Sequence, residues 1–132
     1  MKIDRINPST LPKPTGYTHV ALVSSARQVH VAGQVAVDAA GNLVGKGDLA
    51  AQTEQVYLNL TLALAAVGAD FSHVFKMVTY VVDLSPDKVL AVRAVRGKYL
   101  NADILPASTL LGVTALAHPD YLIEIEVIAA LD

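Results

Sequence analysis

The segment Leu105–Asp132 restricts the possible folds more than any other stretch of the chain. Its second half reads Tyr121-Leu122-Ile123-Glu124-Ile125-Glu126-Val127-Ile128-Ala129. It alternates from Ile123 to Val127, the period of a β-strand. Residues of one parity share one face of a strand. Tyr121, Ile123, Ile125, Val127 and Ala129 therefore form a wholly apolar face, which needs a packed layer against it. Leu122, Glu124, Glu126 and Ile128 form the other face. Its two carboxylates stand roughly 7 Å apart. Two readings fit them: a solvated edge, or a cleft whose chemistry uses an acid. Before this strand, Leu105–Val113 is a second extended run, and His118-Pro119-Asp120 is the polar connection between them.

The remaining elements follow in order. Pro8, Pro12 and Pro14 are expected to keep Met1–Gly16 out of regular structure. Tyr17 ends that lead-in. Thr18–Ser24 and Gln28–Gln34 read as strands joined at Ser25-Ala26-Arg27. Gly33 near the end of the second implies a positive φ, a close backbone approach or a strand-end bulge. Asp48 is a good N-cap for a helix ending near Val67, with Gly68 as its C′ residue. Leu49, Thr53, Val56, Leu60, Ala63 and Val67 make its buried stripe, broadened by Leu58, Leu62 and Leu64. A connector over Phe71–Val74 leads to a strand at Phe75–Asp83. That strand is apolar on both faces, with Phe75, Met77 and Val81 on one and Val78, Tyr80 and Val82 on the other, so both should be covered. Ser85-Pro86-Asp87 starts a helix that runs to about Leu100. Near its end, Arg93 and Arg96 are three apart and near one face, which reads as a solvated basic face.

This order predicts one α+β domain over residues 1–132, with two helices packed on one face of a mixed β-sheet. The other face should meet another subunit. Composition supports that: 53% of residues are hydrophobic and only 17% charged, against about 25% charged in an ordinary domain. Surplus apolar surface on so small a chain is usually hidden in a partner. The net charge of −2 without a basic run weighs against nucleic acid as a partner. Cysteine is absent, which excludes disulfides and thiolate chemistry. The N-terminus has no apolar leader, and Gln55–Ala69, the longest uncharged stretch, is too short to span a bilayer. A cytoplasmic protein is expected. His19, His30, His73 and His118 are scattered without a metal pattern. Gly45 and Gly47 form no phosphate loop, and no nucleophile elbow occurs. No metal and no cofactor are expected.

Several motifs resemble one known family. Pro106-Ala107-x-Thr109 followed by Ile123-Glu124-Ile125-Glu126-x-Ile128-Ala129 is similar to the C-terminal signature of the RidA (YjgF) family. Gly16-Tyr17, Val31-Ala32-Gly33-Gln34 and Lys76-x-x-x-Tyr80-x-x-Asp83-Leu84 extend the likeness upstream in the same order. The resemblance implies a chorismate-mutase-like homotrimer with ligand clefts between subunits. It also implies hydrolysis of small enamines or imines to a carbonyl compound and ammonia. Glu124 matches the glutamate that handles the attacking water, and the neighbouring Glu126 adds a like charge that suits a general base. Tyr17, Gly33 and Thr109 fall on cleft positions. Deaminating members carry an arginine after Pro-Ala to grip the substrate carboxylate. Here that residue is Ser108, and Arg93 is the candidate to supply the missing cation. The same cleft without activity would make a metabolite-binding or scaffold trimer.

Overall fold

The computed structural model describes residues 1–132. In chain order the elements are β1 (Lys2–Ile6), β2 (Val20–Ser24), β3 (Arg27–Gln34), α1 (Leu49–Ala65), a 3-10 turn at Phe71–His73, β4 (Val74–Val82), α2 (Pro86–Arg96), β5 (Ala107–Val113) and β6 (Ile123–Leu131). Four strands form a sheet in the order β3-β6-β4-β5. Only the β4–β5 pair is parallel, because α2 carries the chain back between them. The expected α+β class and mixed sheet are both present.

The lead-in departs from expectation. Lys2–Ile6 is a strand and pairs antiparallel with β2, from Lys2 opposite Ser24 to Ile6 opposite Val20. The prolines begin only at Pro8, beyond the end of β1, so they do not bar this pairing.

β6 organises the core as its alternation requires. Ile123, Ile125, Val127 and Ala129 are buried against Val56, Tyr57, Leu60 and Leu64 of α1 and Val92 and Val95 of α2. Glu124, Glu126 and Ile128 lie half-buried on the opposite face. Asp48 caps α1 by accepting from the Ala51 amide, and Gly68 reverses the chain with φ +73°. Leu58, Leu62 and Val67 are exposed, contrary to the broad stripe expected. A narrower stripe is buried instead, and it includes Gln52. Its amide group donates to the carbonyls of Gly45 and Asp120 and accepts from the Leu122 amide. Three bonds satisfy this buried side chain and pin α1 to the entrance of β6.

β4 also differs in phase. A bulge between Val74 and Lys76 interrupts its pairing with β6. The extra residue puts Val74 and Met77 on the buried side together, and leaves Phe75 half-buried. α2 starts where expected, with the Ser85 hydroxyl accepting from Lys88 N and Pro86 at the first turn. It ends at Arg96, one turn early, although the Leu100 amide still bonds the Arg96 carbonyl. No helix is long and apolar enough to cross a membrane.

Candidate functional site

A cavity of about 160 Å³ lies between α2, β5 and the loop before β2. Each wall has a local cause. Gly16 takes φ +79°, and its carbonyl accepts from Nη1 of Arg96. Two residues on, the Thr18 amide bonds the Pro106 carbonyl at 3.0 Å, and Thr18 bridges to Ala107. The loop is thereby stitched to the start of β5, which brings Tyr17 beside Ser108. Tyr17 stands edge-on to His19, with 5.1 Å between ring centroids. On β5, Ser108 registers with Met77 and Leu110 with Thr79, so all four point to the helix side of the sheet. From α2, Val92 and Val95 enter the core. Arg96, one turn after Val92, and Arg93 follow the edge of that stripe and line the cavity.

The cavity is cationic. Burial pushes the Arg96 guanidinium below its usual pKa; the nearby Tyr57 opposes the shift, and the like charge of Arg93 adds to it. Burial in turn pushes the Tyr57 phenol up to about 12. Nη2 of Arg96 is buried with no hydrogen-bond partner. No carboxylate lines the cavity, and the ion pairs of the fold all lie elsewhere. Tyr17, Thr79 and Ser108 add neutral hydroxyls.

The opposite face of the sheet holds the acids. Tyr80 of β4 pairs with Glu124 of β6 and with Leu111 of β5, while Val78 pairs with Glu126 and Thr109. Partners in register share a face, so Glu124, Glu126, Tyr80 and Thr109 stand together on the side away from the helices. The Tyr80 hydroxyl donates to Glu126, and that bond raises the phenol's pKa. Gly33 sits in the irregularity between Val31 and Gln34, where β3 loses register with β6. Its φ is not positive; closeness is what requires glycine. A Cβ built there would meet Oε1 of Glu124 at 2.3 Å. Of the three alternatives raised by the sequence, positive φ fails, while close approach and a register irregularity both hold.

The residues singled out by sequence thus fall in two groups within one chain. Tyr17, Arg93 and Ser108 line the cavity; Gly33, Thr109 and Glu124 lie on the far face of the sheet. Arg96, Thr79 and Gly16 belong to the cavity and were not identified as site residues. The signal for Arg96 was its four-residue spacing from Val92, which places it at the margin of the buried stripe rather than among solvent.

Comparisons with known proteins bear on the family and the fold. The family model described as Endoribonuclease L-PSP matches residues 9–131. Protein DfrA of Myxococcus xanthus is 34% identical over 125 residues, which are 94% of this chain and 92% of that protein. A RutC family protein of Pyrococcus horikoshii is 31% identical over 118 residues, 89% of this chain and 90% of its own. Among solved structures, the Rid family protein YyfB of Yersinia pestis, described as of unknown function, superposes with a TM-score of 0.90 at 42% identity. That likeness covers 99% of this chain and 100% of the other.

Proposed function

Because the chain belongs to the RidA/YjgF family, we propose that it is a cytoplasmic homotrimer that hydrolyses a small reactive enamine or imine in a cleft between subunits. The observation that carries this reading is the separation of acid from cations. A hydrolytic site for an imino acid needs a grip on the acid group and a base for water. In a single chain the two lie on opposite faces of the sheet. A second copy packed on the open face completes the set, with Tyr17, Arg93 and Ser108 from one subunit and Gly33, Thr109 and Glu124 from its neighbour.

In that cleft the enamine first tautomerises to the imine. Glu124 takes a proton from water as the water oxygen bonds to the imine carbon, and a second water protonates the nitrogen. The carbinolamine that results loses its C–N bond. Ammonia leaves with the proton returned from Glu124, and the carbonyl forms as its hydroxyl proton passes to the hydroxide left by that second water. Arg93 holds the substrate's acid group by a charge-assisted bond, roughly twice as strong as the neutral bond that Ser108 offers. Glu126 is engaged by Tyr80, which leaves Glu124 as the acceptor for water.

The test is ammonia release from freshly generated iminopyruvate. The expected result is acceleration by the wild type and loss of about 10²–10⁴ of it in Glu124→Gln. No acceleration by a folded oligomer removes iminopyruvate as its substrate. The replacement of the family arginine by Ser108 favours a second reading, a trimer that binds a metabolite without turning it over. Binding of a keto acid without any ammonia release would select it.

A further inference from the structure

The cavity carries more positive charge than one carboxylate needs. Arg93 and Arg96 both line it, close enough that the charge of one depresses the pKa of the other. One guanidinium nitrogen of Arg96 is buried without a partner, a costly state for a charged group. No carboxylate among the lining residues answers either cation. The negative end of the α2 dipole offsets part of the repulsion. It does not account for two guanidinia being turned to the same small space, since an exposed lysine or arginine would serve that end equally.

We propose that this cavity selects a small anion with two negative charges: a substrate whose first acid group is held by Arg93 and whose second, carboxylate or phosphate, is shared between Arg93 and Arg96. Planar guanidinium forks bind either group through paired N–H bonds. Arg96 is fixed by the Gly16 carbonyl and contributes a pre-oriented donor. Arg93 is exposed at the mouth and closes on the anion. Tyr17, Thr79 and Ser108 supply neutral hydroxyls for the remaining oxygens. Ser108 then has its own logic: a third guanidinium on β5 would crowd two cations already present. This inference rests on the cavity being the acid-group end of the cleft proposed above, and it concerns binding alone.

Calorimetric titration of the oligomer compares three probes: 2-oxobutyrate, oxaloacetate and inorganic phosphate, the last above its second ionisation. The first two share a four-carbon keto-acid frame and differ by one carboxylate. Oxaloacetate is expected to bind at least about tenfold more tightly than 2-oxobutyrate, since each added charge-assisted bond is worth roughly that factor. Preference for phosphate alone would assign the second group as a phosphoryl group and uphold the double charge. Arg93→Gln should abolish the preference, and Arg93→Lys should restore part of it in a protein of unchanged circular dichroism. Equal affinities for oxaloacetate and 2-oxobutyrate with no phosphate binding, or no binding of any probe, overturns the proposal. Because no turnover is measured, dianion binding without ammonia release upholds it while removing the deaminase reading. Iminopyruvate turnover with no dianion preference does the reverse.

Discussion

Gly33 is held to glycine by what lies opposite it. The hydrogen on its Cα faces the Glu124 carboxylate, and any Cβ would overlap Oε1. The obstacle is the tip of a flexible side chain, so Gly33→Ala is expected to fold and to lose at most about 1 kcal/mol. Its effect falls on Glu124, which must swing aside. Ammonia release should drop by an order of magnitude or more, while the melting temperature stays nearly constant; a parallel fall of both would make Gly33 a merely structural position. Ser108 yields a different expectation from the one its sequence context suggests. Restoring the family arginine there looks like repair of a lost grip. In the fold, Ser108→Arg brings a third guanidinium beside Arg93 and Arg96, and the acids that might neutralise it lie on the other side of the sheet. The variant should melt several degrees lower at low salt, and phosphate should recover most of the difference. A melting temperature unchanged by either substitution or phosphate would contradict this.

Elements were legible in sequence wherever a single periodicity governed them. The alternation of β6 and the caps at Asp48 and Ser85 are local signals, and their elements stand where they point. What was hidden depends on partners. β1 has no strand signal of its own beyond freedom from proline, and exists because β2 is there to pair with it. The β4 bulge swaps Val74 for Phe75 in the core, which no period-two reading can see. The division of the site between two faces needed the register of β5 with β4, a long-range fact. The packing of α1 gives the largest expected stability effect. Tyr57 is fully buried, stacks on Tyr99 at 5.0 Å between centroids, and lies 5.7 Å from Phe71. Tyr57→Ala should cost about 3–5 kcal/mol in urea unfolding at fixed chain concentration. Tyr57→Phe keeps the ring and loses the hydroxyl's interactions with the Met77 sulfur and with Arg96, about 1 kcal/mol. Equal losses in the two would mean the hydroxyl, not the ring, matters there. At the 3-10 turn, Asp70 accepts from the hydroxyl and amide of Ser72 and from His73. The Ser72 bond chiefly holds its carboxyl below the usual range. A lowered folded pKa stabilises fully above the unfolded value and is lost as pH falls through the lowered one. Asp70→Asn should therefore flatten the acid limb of stability below about pH 4 and change little near neutrality beyond a constant offset.

The uncovered face of the sheet sets the behaviour of the whole molecule. One side of the sheet is closed by α1 and α2, and the other presents Tyr80, Val78, Glu124, Glu126 and Ile128 half-covered. A chain that is 53% hydrophobic with such a face is expected to assemble. Light scattering should give three times the 13.9 kDa chain mass at micromolar concentration; a monomeric mass would contradict the trimer. In the proposed chemistry assembly is required, because Glu124 and Arg93 are on opposite sides of every chain. The most direct test mixes two variants, Glu124→Gln and Arg93→Gln, each inactive in ammonia release as a homo-oligomer. After dissociation and reassembly together, some clefts receive Arg93 from one chain and Glu124 from another. Activity is expected to reappear in the mixed oligomers, at a fraction of the wild-type rate. Activity in wild type carried through the same reassembly, with none recovered in mixed oligomers of confirmed composition, would show that each site is built within a single chain.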